Sequence, residues 1–156
     1  MSRHSISYQK LAVEPFNKLF AFSQAVLKSG VGTKLLDLVS LRVSQINGCA
    51  FCLDMHTRDL LKQGEDMQRL VCLPAWRDVE LYSARERAAL EWAERVTDLH
   101  DEEALDAAFA ELGHHFNEQE IAELTFAVAM INVWNTLNVS LRTPVERKPM
   151  PEAQAA

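Results

Sequence analysis

Cysteine and glycine are both scarce in this sequence. Only three of its 156 residues are cysteines, at positions 49, 52 and 72, and only five are glycines. A small and odd number of cysteines does not make a disulfide-stapled scaffold. Sustained strand-like alternation bounded by turns is missing too, so the chain does not have the pattern of a β-sheet protein. These features favour an all-α fold with few crosslinks.

A basic patch and a long apolar run are also missing. The net charge is −6 and the pI is near 5.3, with basic residues scattered among acidic ones, which does not suit a nucleic-acid or anionic-membrane binder. No apolar stretch reaches the ~20 residues of a membrane-spanning helix. The N-terminal MSRHSISYQK lacks the apolar core of a signal peptide. We therefore expect a cytoplasmic protein with no nucleic-acid and no membrane partner.

Helix patterns run along most of the chain. We predict helices at about 15–28, 34–46, 49–64, 84–98, 102–113 and 118–143, and a short helix broken at Pro74 within 65–82. Thr33 can cap the second helix, and Asp101 the fifth. Ser83 and Asn117, each followed three residues later by Glu, have the form of capping boxes. The sequence predicts one helical domain over residues 1–145 and a mobile tail over 146–156.

The stretch INGCAFCLDMHTRDL carries the most distinctive chemistry. On a helix, Cys49, Cys52 and His56 would share one face, because each residue turns the chain by about 100°. Cys49 would lie in the first turn, where free backbone N–H groups favour a thiolate. His56 could accept the thiol proton of Cys52. Such a pair can attack a peroxide oxygen or a disulfide sulfur, after which the second thiol resolves the intermediate.

Two other interpretations of this stretch remain open from the residues alone. A zinc site would need four ligands, and Cys49, Cys52 and His56 supply three of them. Two small thiols can also be inert parts of a buried helix. Elsewhere, Arg42 in its apolar helix predicts an ion pair with an acidic neighbour, and Cys72 is interpreted as an ordinary buried thiol.

The longer string LLDLVSLRVSQINGCAFCLDMHTRDLLKQGE resembles the AhpD-like, alkylhydroperoxidase-type branch of the carboxymuconolactone decarboxylase family. LYSARERAALEWAERVT (81–97) and INVWNTLNVSLRTP (131–144) also resemble later helices of that family. The resemblance implies an all-α fold, homo-oligomers that are often trimers or hexamers, and reduction of hydroperoxides without a bound cofactor. The reductant would be a dithiol, such as a thioredoxin-like or lipoyl protein.

The resemblance also implies roles for particular residues. Cys52 would be the peroxidatic cysteine and Cys49 the resolving one, so that the cycle passes through a Cys49–Cys52 disulfide. His56 would belong to a proton relay with an acidic residue one helix earlier, which here is Asp37. The sequence departs from the family pattern at two places. Asp37 stands where Glu is usual, and Phe51 stands where the family's characterised peroxidases have a histidine.

Alternative functions remain for the same residues. The cysteine pair could serve a disulfide oxidoreductase or a non-enzymatic redox sensor instead of a peroxidase. Lactone decarboxylation, known in the wider family, does not require the cysteine pair. We expect the helix pair to open into an apolar pocket, which would suit organic hydroperoxides better than charged substrates.

Overall fold

The computed structural model describes residues 4–151, and within that range it is built of helices without β-strands. The elements are α1 (Tyr8–Leu11), α2 (Val13–Val26), α3 (Thr33–Asn47), α4 (Ala50–Lys62), α5 (Met67–Cys72), a 3-10 helix (Leu73–Asp78), α6 (Ala84–Thr97), α7 (Glu102–Leu112) and α8 (Glu118–Ser140). The predicted all-α class is confirmed. Among helices between residues 4 and 151, none combines the length and apolar character that a bilayer crossing requires.

Three of the predicted helix starts are confirmed by their hydrogen bonds. Ser83 and Asn117 each form a complete capping box, in which the cap side chain accepts a backbone N–H and the glutamate three residues later accepts the cap's own N–H. The Asp101 carboxylate accepts from the backbone N–H of Ala104 at 3.0 Å. These short polar side chains satisfy N–H groups that a helix leaves unpaired, so the pattern predicts the boundary directly.

Other parts of the helix prediction differ from the structure. Thr33 is the first residue of α3 and Gly32 is its cap, so Thr33 does not cap the helix. The predicted break at Pro74 is present, but the α-helix already ends at Cys72, and the 3-10 helix that follows has the proline in its first turn and a kink at Ala75. The four-residue helix α1 was not predicted, since its segment is too short to display a period.

The core is organised around α3, which packs against α4, α6 and α8. Every residue from Leu36 to Leu41 is buried, as are Val43 and Ser44. Burial of each of its Leu and Val side chains contributes about 1.5–3 kcal/mol. The hydroxyl of Ser44 donates to the carbonyl of Ser40 at 2.7 Å, which satisfies one of the few polar groups of this helix. Because α3 packs against three other helices and Asp37 is among its buried residues, the position of this carboxylate is fixed.

The last described residues lie against α4. The Arg58 guanidinium donates to the carbonyl oxygens of Pro149 and Lys148, at 2.6 and 2.9 Å. The domain boundary at residue 145 and the mobility of the tail stay predictions, and residues 152–156 of that tail lie outside the described residues.

The interpretation of Cys72 as a buried thiol is wrong. Its side chain is a free thiol of intermediate exposure at the end of α5. This helix has six residues and turns one narrow face to the core, on which only Leu70 is buried. Its neighbour Val71 is 69% exposed, so the thiol lies at the edge of the packed surface.

The predicted ion pair of Arg42 is confirmed, and its partner is Glu94 on α6. Arg42 Nε donates to Glu94 Oε1 at 2.7 Å, and Trp76 Nε1 donates to the same oxygen at 2.9 Å. Arg77 Nη1 donates to Glu94 Oε2 at 2.7 Å. Burial alone would raise the pKa of the Glu94 carboxyl, but the hydrogen bonds from Trp76, Arg42 and Arg77 outweigh it and lower that pKa.

Replacing Glu94 with Gln should therefore destabilise the fold by about 2–3 kcal/mol, because Arg42 loses its partially buried counter-ion. The carboxylate contributes fully above its ordinary pKa of 4.5, and its contribution falls as the pH drops through the lower folded-state pKa. Urea unfolding of both proteins at pH 7 and at about pH 3 would measure this. Glu91→Gln, which loses ion pairs to the more exposed Arg77 and Arg95, should cost less than ~1 kcal/mol. An equal cost for both variants would contradict the prediction.

Candidate active site

A sharp turn between α3 and α4 brings the cysteine pair into the core. Gly48 ends α3 in the left-handed conformation, with φ of 65°, which glycine adopts without the steric cost of a Cβ. The chain then enters α4 at Cys49. The break between the predicted helices 34–46 and 49–64 is therefore the element that places the cysteines.

Cys49 is the N-cap of α4 and not a residue of its first turn. Its backbone is extended, and its sulfur accepts from the backbone N–H of Cys52 at 3.3 Å. The predicted start of this helix at Cys49 is therefore displaced by one residue, but Cys49 still lies beside Cys52, as the helical spacing predicted. The favourable position for a thiolate holds, since the N-cap is where side chains satisfy free N–H groups.

The two sulfurs are nevertheless in bonding contact. Cys49 and Cys52 are paired as a disulfide with a Cα–Cα distance of 5.4 Å, within the usual range for such a bond. Both side chains are almost fully buried, each 1% exposed. Of the two cysteines, only Cys52 lies on the wall of the neighbouring cavity, so a small molecule in that cavity would lie next to Cys52.

A second cluster lies one turn further along α4. His56 Nδ1 lies 3.1 Å from Asp37 Oδ1, and the Gln63 side-chain amide donates to Asp37 Oδ2 at 2.6 Å. Both His56 and Asp37 are 7% exposed. A carboxylate on Nδ1 assigns the proton to that nitrogen and leaves Nε2 as a proton acceptor. Among residues 4–151, nothing forms a hydrogen bond with this buried Nε2.

A cavity of about 270 Å³ joins these groups. Cys52, His56 and Asp37 lie on its wall, and the rest of the lining is mainly apolar. The apolar side chains are Tyr8, Phe20, Leu27, Leu36, Phe51, Met55, Met130, Ile131 and Trp134. The predicted apolar pocket is present, and a cysteine, a histidine and an aspartate lie together on its wall.

Two residues near Cys52 were not predicted from the sequence. The side-chain amide of Asn138 donates to Cys52 Sγ at 3.5 Å, and the hydroxyl of Tyr8 donates to Asn138 Oδ1 at 3.0 Å. Asn138 is buried in α8, where the other buried side chains, apart from that of Asn135, are apolar. An asparagine among such residues is a sign of a buried polar contact. No local pattern marks Tyr8.

Cysteine, histidine and carboxylate side chains can also bind a metal ion. Within the described chain, His, Cys, Asp and Glu residues form no group of three or more that could bind one ion. Cys49 and Cys52 are instead paired with each other, and His56 is paired with Asp37.

Comparison with known proteins adds family relationships to this geometry. The model of the carboxymuconolactone decarboxylase family matches residues 14–95. The uncharacterised protein YdfG of Bacillus subtilis is 35% identical over 136 residues, which cover 87% of this chain and 92% of YdfG.

Solved structures share the fold. A protein of unknown function from Agrobacterium tumefaciens, described as a suggested antioxidant defence protein AhpD, is 38% identical with a TM-score of 0.87, covering 92% of this chain and all of that one. An uncharacterised peroxidase-related protein from Silicibacter sp. is 25% identical with a TM-score of 0.74, covering 85% of this chain and 70% of that one. The chain therefore belongs to the carboxymuconolactone decarboxylase family, and its fold is that of AhpD-like proteins.

Proposed function

We propose that this protein reduces organic hydroperoxides through a thiol–disulfide cycle of Cys52 and Cys49. The observation that carries the proposal is the wall of an apolar cavity, on which Cys52 lies close to His56, whose Nδ1 contacts Asp37 and whose buried Nε2 has no hydrogen-bond partner among the described residues. The descriptions of the Agrobacterium and Silicibacter proteins, antioxidant defence and peroxidase-related, support the same class of chemistry.

The cycle begins with the reduced pair. His56 Nε2 takes the thiol proton of Cys52, while Asp37 holds the opposite nitrogen and stabilises the imidazolium. The Cys52 thiolate attacks one oxygen of ROOH and the O–O bond breaks. The alkoxide leaves with the proton from His56 as ROH, and Cys52 becomes a sulfenic acid.

The second half of the cycle uses Cys49. Its thiol attacks the sulfenic sulfur, an S–S bond forms and water leaves, so that ROOH and two thiols give ROH, water and one disulfide. The 5.4 Å separation of the two Cα atoms accommodates that bond. An external dithiol, of the thioredoxin-like or lipoyl class, then reduces the disulfide by exchange. Such reductants are available in the cytoplasm, where we place the protein.

The chemistry of the lining favours an uncharged, apolar substrate. Trp134, Met130 and Leu27 offer surface for an alkyl or aryl group, and no histidine is present at position 51 to hydrogen-bond a polar one. Transfer of the organic part out of water into this cavity provides binding energy that hydrogen peroxide lacks.

We also propose that the protein is a homo-oligomer, a trimer or hexamer. The outer face of α8 exposes Ala122, Phe126, Ala129 and Val133, whose spacing of four, three and four residues is that of a helix-packing seam. Phe126 is 58% and Val133 44% exposed. A run of exposed apolar residues on one long helix is typical of a surface covered by another subunit.

Stopped-flow oxidation of the reduced protein tests the function. Cumene hydroperoxide should remove two thiols per chain and react at least about tenfold faster than hydrogen peroxide, because only the former fills the apolar cavity. Thiol titration and intact mass before and after the reaction measure the stoichiometry. Rates equal to those of free cysteine with both peroxides would contradict the proposal.

One observation favours a second candidate. Phe51 removes a proton-handling group from the wall of the cavity, which suits a disulfide oxidoreductase or redox sensor that needs no rapid peroxide cleavage. The same experiment separates the two, since that candidate predicts slow peroxide reaction together with fast exchange between the Cys49–Cys52 disulfide and a dithiol. Lactone decarboxylation would leave the cysteine pair without a role.

A further inference from the structure

The two sulfurs of the pair are stabilised by different donors. Cys49 accepts the backbone N–H of Cys52, at the end of a helix. Cys52 accepts the side-chain amide of Asn138, from a different helix, at 3.5 Å. By itself, the backbone N–H at the N-terminus of α4 would make the thiolate of Cys49 more stable than that of Cys52. The donor from Asn138 is placed on the sulfur that lines the cavity.

The orientation of that amide is fixed from its other side. The Tyr8 hydroxyl donates to Asn138 Oδ1 at 3.0 Å, so the amide oxygen points to Tyr8 and the NH₂ group points to the sulfur. Burial raises the pKa of the Tyr8 hydroxyl, more than the hydrogen bond with Gln9 lowers it, and the hydroxyl therefore remains a donor. Tyr8 and Asn138 are 7% and 5% exposed, which shields this chain of hydrogen bonds from water.

We propose that Asn138 is a catalytic residue that holds the thiolate of Cys52 through its side-chain amide, and that Tyr8 is the positioning residue that orients this amide. Asn138 and Tyr8 thereby favour a thiolate on Cys52 over a thiolate on Cys49. Both residues lie outside the segment 14–95 that matches the family model. The consequence for peroxide reduction rests on the proposed function, whereas the effect on the thiolate does not.

The role of Asn138 differs from that of His56. The imidazole acts by accepting a proton, so its effect on Cys52 depends on its own protonation state. An amide is neutral at every working pH and supplies a fixed dipole. Removing the hydrogen-bond donor of a buried, charged acceptor costs free energy, because the charge is left without a partner. Loss of the amide should therefore shift the pH at which Cys52 ionises without adding a new titrating group.

The experiment measures alkylation of reduced Cys52 by iodoacetamide as a function of pH, in a Cys49→Ser, Cys72→Ser background. Asn138→Ala should raise the midpoint of the rate profile by about one pH unit and slow alkylation about tenfold below it. Tyr8→Phe, which removes only the hydroxyl, should give a smaller shift of about half a unit. In the protein with all three cysteines, Asn138→Ala should reduce the share of the first alkylation, located by peptide mass, that falls on Cys52.

Asn135→Ala is the matched control. Asn135 is a buried asparagine on the same helix, 1% exposed, and it bonds to Asn47 and Ser44 instead of Cys52. This variant should leave the midpoint unchanged. Circular dichroism and thermal unfolding show which variants fold. If Asn138→Ala does not fold, the shift measured for Tyr8→Phe tests the proposal instead.

The possible results are distinct. Folded Asn138→Ala or Tyr8→Phe proteins with the parental midpoint would overturn the proposal, and so would an equal shift in Asn135→Ala. A shifted midpoint in a protein that does not react with hydroperoxides would contradict the proposed function and leave the role of Asn138 intact.

Discussion

Cys52→Ser should abolish the peroxide-dependent loss of thiols, with a rate constant at least about 10³-fold below that of the wild type. The serine hydroxyl is not ionised near neutral pH and cannot replace the thiolate as nucleophile. Cys52 is also the cysteine that lines the cavity, so Cys49, buried behind it, should not substitute. Stopped-flow oxidation by cumene hydroperoxide, followed by thiol titration, measures this result.

Cys49→Ser completes the same prediction. One equivalent of hydroperoxide should convert Cys52 to a sulfenic acid that persists, because the resolving thiol is missing, and dimedone should label it. Cys72→Ser serves as the control, since this half-buried thiol lies outside the site and its loss should change neither rate nor product. An active Cys52→Ser protein combined with an inert Cys49→Ser protein would reverse the two roles.

The fold could be predicted where local chemistry determines it. The capping boxes at Ser83 and Asn117 are local, because four neighbouring residues contain both partners of each hydrogen bond. The Asn47-Gly48 turn is local in the same sense. Helix starts without such a side chain were less certain, and at Thr33 the prediction was displaced by one residue because Gly32 provides the cap with its backbone alone.

The site could be predicted only in part. Helical spacing brought together Cys52 and His56, while Asp37 entered through the resemblance to a family, and the structure places its carboxylate on His56. Asn138 and Tyr8 could not be paired from sequence, because 130 residues separate them and their contact depends on how α1 and α8 pack. The extended backbone of Cys49 was missed for a related reason, since a periodic pattern does not show where the helix begins.

Asp37→Asn should slow oxidation of Cys52 by hydroperoxide by about 10²-fold, the lower end of what general acid–base catalysis contributes. The amide still occupies the space beside His56 Nδ1, but it has no charge to stabilise the imidazolium and it can present an N–H where an acceptor is needed. His56→Ala should have an effect of similar size. The double variant should be little slower than either single one, because the two residues act as one unit. Rate constants from stopped-flow measurements at one pH define all three effects.

Asp59→Asn separates the relay from a general effect of charge. Asp59 also lines the cavity, but its carboxylate accepts from Lys62 at 2.8 Å and not from His56. Both substitutions remove one negative charge from the same cavity, so a field effect on the Cys52 thiolate would change both rates in the same direction. If Asp37 acts through a proton relay with His56, only Asp37→Asn should slow the oxidation of Cys52. If Asp37→Asn reacts at the wild-type rate while His56→Ala is slow, the imidazole works without its carboxylate. The departure from the usual Glu at position 37 then has no consequence for catalysis.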